Sequence, residues 1–260
     1  MYVDEKSIIL ENRFISGKTW LLRLKAPEIS KMARPAQFVM IKGTPDYQFD
    51  PMMRRAFAIA DVVDDEIIIF YDVYGKGTKA ITERKKGEII YVLGALGKNL
   101  FPEHYDYYLL VGGGIGFAGL SLLMKELRKK GKPFKAIYGV RRKEQLSMLD
   151  WIRENKFEDD VIIYTEDGSY GEKGLVTKDL KKLATEHKNT ALAVCGPKGM
   201  MKAVVKEAKE INIPAYLSLE SKMACGFGIC IGCVIKDTKE DVYKRVCYEG
   251  PVFKADEIEF

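Results

Sequence analysis

The residues best suited to chemistry lie near the C-terminus. Cys225, Cys230, Cys233 and Cys247 make up four of the five cysteines and follow a C-x4-C-x2-C-x13-C pattern. Three cysteines at that spacing can wrap one loop around a [2Fe-2S] cluster, and a fourth arriving on a returning strand completes the ligand set. Gly226, Gly228 and Gly232 alternate with the ligands. Glycine lets the backbone take positive φ, so such a loop can curl tightly and turn its N–H groups toward sulfur, which is one control on reduction potential. The same cysteines can instead bind zinc, pair as disulfides or remain thiols. Zinc sites usually show two separated Cys/His pairs, and neither His104 nor His187 is near the loop. Disulfides belong to oxidising compartments.

Two further constellations suit phosphate. Arg54 and Arg55 open the run Arg55-Ala56-Phe57-Ala58-Ile59, and Gly75-Lys76-Gly77-Thr78 opens a helical pattern. A guanidinium binds phosphate in bidentate fashion, and glycine-rich backbone at a helix start offers N–H groups to the same anion. Solvated strand-end charges and an ordinary turn would look the same in sequence. Further on, the apolar run 107–111 leads into Gly112-Gly113-Gly114-Ile115-Gly116-Phe117-Ala118-Gly119. Gly114, Gly116 and Gly119 satisfy G-x-G-x-x-G between a strand and a helix, the context that makes the motif a dinucleotide fingerprint. No acidic residue closes the next strand, where Arg141 and Arg142 stand instead; such a pair can meet a 2′-phosphate. Cys195-Gly196-Pro197 marks the end of another strand, where open α/β sheets bind ligands, with Cys195 expected as a small buried residue and not as a nucleophile.

The elements that must position these residues fall into three stretches. Residues 1–102 alternate short β-rich runs (20–24, 37–41, 56–60 and 66–71) with Pro, Gly and Asp turns, which predicts a small antiparallel barrel or sandwich with one helix near 77–84. Residues 103–217 alternate strands (107–111, 136–138, 161–164, 191–195) with helices (120–130, 144–153, 177–183, 199–211), which predicts a parallel sheet covered on both faces. Residues 218–260 form a small C-terminal cysteine subdomain.

Composition fits this plan. The 260 residues are 47% hydrophobic and 30% charged, with a formal net charge of +5. No basic aromatic stripe argues for nucleic acid. The opening residues 1–6 lack a signal-peptide core behind them, and no apolar run approaches the ~18 residues of a membrane span. The expectation is a soluble, cytoplasmic protein.

Taken in order, these motifs resemble the ferredoxin reductase-like flavoproteins. Arg55-Ala56-Phe57-Ala58 is similar to that family's R-x-[YF]-[ST] flavin strand, Gly75-Lys76-Gly77-Thr78 to its flavin-phosphate turn, and Gly94-Ala95-Leu96-Gly97 to the turn that ends its barrel. Gly112 to Gly116 and Cys195-Gly196-Pro197 resemble its nicotinamide elements. Within the family, residues 218–226 and 246–253 look most similar to electron-transfer subunits of NAD-dependent, type B dihydroorotate dehydrogenases. The resemblance implies FAD contacts at Arg55, Ala56, Phe57, Ala58, Tyr71, Asp72, Val73, Gly77 and Thr78, NAD(H) contacts at Gly113, Gly114, Gly116, Cys195, Gly196 and Pro197, and cluster ligation by Cys225, Cys230, Cys233 and Cys247. Three positions depart from the pattern: Ala58 replaces a hydroxyl, Asp72 an often basic residue and Ala36 a usual glycine. The implied activity is electron transfer among NAD(H), FAD and [2Fe-2S], and onward to an FMN-containing dihydroorotate dehydrogenase catalytic subunit of pyrimidine biosynthesis, in a heterotetramer of two of each. The alternatives are a subunit of another oxidoreductase, ferredoxin:NADP or sulfide-linked, and a zinc-stapled nucleotide-binding interaction module.

Overall fold

A computed structural model describes residues 2–45 and 47–260. In chain order the first third contains β1 (Val3–Ser16), β2 (Thr19–Lys25), α1 (Pro27–Met32), β3 (Phe38–Lys42), β4 (Arg55–Ala58), β5 (Asp61–Val63), β6 (Glu66–Asp72), α2 (Lys76–Thr82) and β7 (Ile89–Leu96). Its strands form one antiparallel sheet in the order β4-β3-β7-β1-β2-β6-β5. The sheet curls into a half-barrel, and beside its free edges the Ala60 N–H donates to Ile68 O (2.9 Å). Ile, Leu and Val side chains of alternate positions fill the inside, with Tyr71 and Ile81 of α2 among them. Sequence periodicity misses α1, whose six residues are too few to show a period of 3.6. Ala36 explains the usual glycine there: its φ is +73°, a region that disfavours any Cβ.

The second unit contains β8 (Tyr107–Gly113), α3 (Ala118–Lys129), β9 (Phe134–Val140), α4 (Leu149–Glu154), β10 (Val161–Thr165), β11 (Glu172–Lys173), α5 (Leu180–Thr185), β12 (Thr190–Cys195), α6 (Lys198–Glu210) and β13 (Ala215–Ser218). After it come β14 (Val234–Asp237), β15 (Tyr243–Arg245), β16 (Val252–Lys254) and β17 (Ile258–Glu259). The second sheet runs β11-β10-β9-β8-β12-β13-β16, parallel except for β16, which pairs antiparallel with β13. β14, β15 and β17 make a third, small sheet. The expected helix over 144–153 is instead a short 3-10 turn at Lys143–Gln145 followed by α4. Between them the Ser147 N–H donates to the hydroxyl of the buried Tyr138 (3.2 Å), which takes that backbone out of helical pairing.

The units share their cores. Phe38, Met40, Leu93 and Leu96 of the half-barrel pack in one cluster with Leu109, Val111, Leu217, Cys233, Cys247 and Phe253. A polar clamp joins the first two units on the other side. The buried Asp61 carboxylate accepts Lys125 Nζ (2.6 Å) from α3 and Trp151 Nε1 (2.9 Å) from α4. Beside it Ser121 Oγ donates to Ala60 O (2.6 Å).

Removing the Asp61 carboxylate strands an indole N–H and a largely covered ammonium. Asp61→Ala is therefore expected to cost about 3 kcal/mol in chemical unfolding. Arg54→Ala breaks a forked but more exposed pair with Asp4 (2.7 Å) and is expected to cost under about 1 kcal/mol. Equal losses would contradict the clamp.

Candidate functional site

The flavin-strand residues and the glycine turn meet. The Arg55 side chain lies across Gly77 so closely that a Cβ there would stand 2.4 Å from Arg55 Nε. Arg55 Nη1 donates to Met53 O (2.6 Å) and Arg54 O (3.3 Å), leaving Nε and Nη2 without protein acceptors among the described residues. Arg54 is instead committed to Asp4. Thr78 Oγ1 accepts the Tyr74 N–H (2.9 Å) and donates to Gly75 O (3.1 Å), closing the turn before α2. Asp72 does not bring uncompensated charge: it accepts Thr19 Oγ1 (2.5 Å) and pairs with Lys18 Nζ (3.1 Å). Tyr71 points into the barrel core, stacked edge-on against Phe57, its hydroxyl donating to Asn12 Oδ1 (3.0 Å). Asn12 Nδ2 in turn donates to Ile81 O and Arg84 O at the end of α2. Tyr71 thus anchors the helix that carries the turn, and burial holds its phenol well above the usual range. The Val73 N–H donates to Lys18 O (2.9 Å).

β4 is an edge strand, and Arg55, Ala56, Phe57 and Ala58 are all only partly covered. An uncovered, mostly apolar edge is unusual in a sheet and fits a planar ring system lying on it. The nucleotide motifs close the other side of the same cleft. A Cβ on Gly119 at the start of α3 would lie 3.8 Å from the Ala58 Cβ and 3.1 Å from Cys195 Sγ.

The two nucleotide motifs, far apart in sequence, are pressed together. A Cβ on Gly116 would lie 2.6 Å from Gly196 Cα and 2.7 Å from Cys195 O, and one on Gly113 would meet Met200 and Pro197. The chain leaves β8 through a 3-10 turn, Gly114–Phe117, directly into α3, so its first N–H groups are free for a pyrophosphate. Cys195 is buried, and burial, with a smaller push from Glu220, holds its thiol far above the usual range. It stays protonated and is no nucleophile. Glu220 lies just beyond β13 and was unforeseen from sequence; desolvation by the surrounding protein, then the Asp72 charge, raises its carboxyl.

The cysteine loop packs on the half-barrel. Gly226 has φ +82°, and a Cβ there would stand 2.4 Å from Met40 Cγ. Met40 is paired in register with Ala56 of β4. The Phe227 ring lies 5.8 Å from that of Tyr2. The thiols sort into two pairs. The Cys230 N–H donates to Cys225 Sγ (3.5 Å), and the Cys247 N–H to Cys233 Sγ (3.4 Å). The Val246 N–H donates to Cys233 O (2.9 Å), which brings the fourth cysteine to the third. Burial pushes the Cys225 thiol up, but the N–H groups of Cys230, Phe227 and Ile229 and the Cys230 thiol outweigh it and hold it at about 6. The thiolate is the form that binds metal. Burial, and then Cys233, push the Cys247 thiol up to about 12. Two thiol pairs suit the four-cysteine ligand set of a [2Fe-2S] cluster. Cys230 is exposed, whereas Cys233 and Cys247 are buried.

Fold and site together define a ferredoxin reductase-like flavoprotein with an iron–sulfur loop. The model of the iron–sulfur cluster binding domain of dihydroorotate dehydrogenase B matches residues 220–259, and that of the oxidoreductase NAD-binding domain matches 110–206. An Aquifex aeolicus protein, described as a homolog of the electron transfer subunit of dihydroorotate dehydrogenase B (NAD(+)), is 45% identical over 259 residues, covering 99% of each chain. The electron transfer subunit of Caldanaerobacter subterraneus subsp. tengcongensis is 35% identical over 98% of each chain. Among solved structures, one from the NADH-dependent reduced ferredoxin-NADP oxidoreductase is 31% identical, with a TM-score of 0.85 over 98% of this chain and 90% of that one. Phthalate dioxygenase reductase, 15% identical with a TM-score of 0.65 over 91% of this chain and 87% of its own, shares the fold. The chain belongs to the family of dihydroorotate dehydrogenase B electron transfer subunits.

Because a Cβ on Gly116 would collide with backbone, which yields less easily than a side chain, Gly116→Ala is expected to weaken NAD(H) binding about tenfold or more, an effect of ~1.4 kcal/mol or above. FAD and iron content should be unchanged. Unaltered nucleotide affinity by titration would contradict the pairing of the two motifs.

Proposed function

We propose that this chain carries electrons between an FMN-containing dihydroorotate dehydrogenase catalytic subunit and NAD+, with FAD and a [2Fe-2S] cluster as its resident groups. The observation that carries this reading is the seating of the cysteine loop, through Gly226, on Met40 beside the flavin strand. A nicotinamide gives up two electrons together and an iron–sulfur cluster accepts one at a time; FAD, when bound, supplies the chemistry that joins them. The protein's own part is positioning. Arg55, with the Gly77–Thr78 turn, holds the FAD diphosphate, Ala56, Phe57, Ala58 and Val73 seat its ring system, and Tyr71 and Asp72 support that wall from behind. Gly113, Gly114, Gly116, Cys195, Gly196 and Pro197 receive the nicotinamide nucleotide. Cys225, Cys230, Cys233 and Cys247 hold the cluster. Residues 1–102, 103–217 and 218–260 serve as the flavin, nicotinamide and cluster units, although β16 of the last is built into the sheet of the second.

The outer face of the cysteine loop is where the catalytic subunit docks. Ile229 is 75% and Ile231 67% exposed. Ile231 also holds a φ of +49°, an outlier for a β-branched residue. Two bare isoleucines around a redox centre suit a partner that must approach closely and exclude water. The assembly takes two copies of each subunit. No helix among the described residues is long and apolar enough to cross a membrane, and the reaction belongs in the cytoplasm.

A second reading is favoured by the full-length, 31% identical chain of the NADH-dependent reduced ferredoxin-NADP oxidoreductase. In it, the same stations serve another oxidoreductase.

Co-expression with an FMN-bearing dihydroorotate dehydrogenase subunit separates the two readings. The expected outcome is a stable complex that reduces NAD+ with dihydroorotate; a chain that binds FAD and iron but neither joins that subunit nor supports the reaction favours the second reading. Ile229→Asp with Ile231→Asp should weaken the complex at least about 100-fold, since burying two such side chains is worth about 3 kcal/mol or more. NADH oxidation by the isolated chain with an artificial acceptor should survive. Undiminished association would move the docking face elsewhere.

A further inference from the structure

Arg245 and Glu249 flank Cys247 on the segment that delivers the fourth sulfur. Arg245 Nη1 donates to Gly228 O (2.6 Å) in the loop between Cys225 and Cys230. The rest of the guanidinium is forked onto Glu249, through Nε to both carboxylate oxygens (3.2 and 3.0 Å) and through Nη2. Glu249 Oε2 also accepts the Arg245 backbone N–H (2.6 Å). The guanidinium lies 4.6 Å from the centre of the Tyr248 ring, whose other cationic neighbour is Lys98 Nζ at 3.4 Å. Gly228, with φ +94°, sits on that ring so closely that a Cβ would be 2.8 Å from it.

The position of Gly228 gives this arrangement a direction. In a trans peptide the carbonyl of one residue and the N–H of the next point opposite ways. Drawing Gly228 O toward Arg245 therefore turns the Ile229 N–H away from Arg245 and fixes the loop one residue short of Cys230, whose own N–H donates to Cys225 Sγ (3.5 Å). The held loop thus presents a backbone donor to a cysteine sulfur, and a charged donor on the Gly228 carbonyl polarises that peptide and strengthens the N–H beyond it. Hydrogen bonds to sulfur and local charge both bear on cluster potential.

We propose that Arg245 is a positioning residue for the iron–sulfur centre: by holding Gly228 O it aims backbone N–H groups at the cysteine sulfurs and raises the cluster potential, while Glu249 fixes the guanidinium and tempers its charge. This rests on the reading that the chain binds a [2Fe-2S] cluster. The two variants act in opposite directions. Arg245→Met removes donor and charge, so the reduced cluster loses stabilisation. Glu249→Gln leaves the guanidinium charge unbalanced, so the reduced cluster gains it.

The test is an EPR-monitored redox titration of the anaerobically purified holoprotein, with iron, sulfide and FAD measured on each sample. Arg245→Met is expected to lower the reduced-to-oxidised ratio of the cluster at fixed potential about tenfold, ~59 mV for one electron. Glu249→Gln should raise it, and the FAD midpoint should stay where it is in both. If Arg245→Met purifies without iron, Arg245→Lys takes its place: it keeps the charge but loses the fork, and should shift the ratio in the Met direction by less. Cluster midpoints equal to wild type, or a shift of the same sign in the arginine and glutamate variants, overturn the proposal. Wild-type protein without iron and sulfide would instead overturn the functional reading beneath it.

Discussion

The arrangement depends on a seam at residues 250–252. Gly250 O accepts the N–H groups of Lys98 (2.8 Å) and Asn99 (3.0 Å) where the chain leaves the half-barrel. Asn99 Nδ2 donates to Val252 O (2.6 Å), and the Leu219 N–H donates to Pro251 O (3.0 Å). Immediately after it, β16 pairs with β13 at the edge of the parallel sheet. A stretch of chain a few residues long is therefore tied at once to the barrel exit, to the nucleotide sheet and, through Cys247, to the cysteine loop. Backbone pairs of this kind are fixed in direction and costly to leave unmade once buried. The seam sets the Gly226 end of the cysteine loop against Met40 and leaves Ile229 and Ile231 on its outer face.

Rigidity of this kind matters because the three stations use three different chemistries and meet only if the units are held. The Asp61 clamp fixes the half-barrel on α3 and α4, and the shared core carries the same constraint through Phe38, Met40 and Leu217 to Cys247. The cleft between the apolar edge β4 and the paired glycine turns is thus a product of packing on both its sides.

Much of this was legible in the sequence, for identifiable reasons. Spacing and glycine alternation located the cysteine loop, because a tight loop around metal leaves few choices of residue. Strand–glycine–helix order located the turn at 112–116, and the alternation of strands and helices gave the parallel sheet. What stayed hidden were contacts between segments distant in sequence. Nothing in the chain says that Gly116 abuts Cys195, that Met40 receives Gly226, or that Tyr71 serves the flavin wall from inside the barrel by way of Asn12. β16 was equally hidden, since three residues following a cysteine ligand look like a tail until they pair with β13. Asp72 stands where a basic residue is usual, and only the fold brings Lys18, far away in sequence, to pair with it. The flanking of Cys247 by Arg245 and Glu249 was visible in print, but only the closeness of Gly228 O gives the pair a meaning.

The central claim is that flavin and cluster communicate within this one chain. It is tested most directly by mixing the isolated holoprotein anaerobically with NADH and following the cluster by EPR during flavin bleaching. The account predicts that the reduced-cluster signal appears with no second protein present. Full bleaching of the flavin with the cluster left oxidised, although a chemical reductant of comparable strength reduces it, would contradict the account.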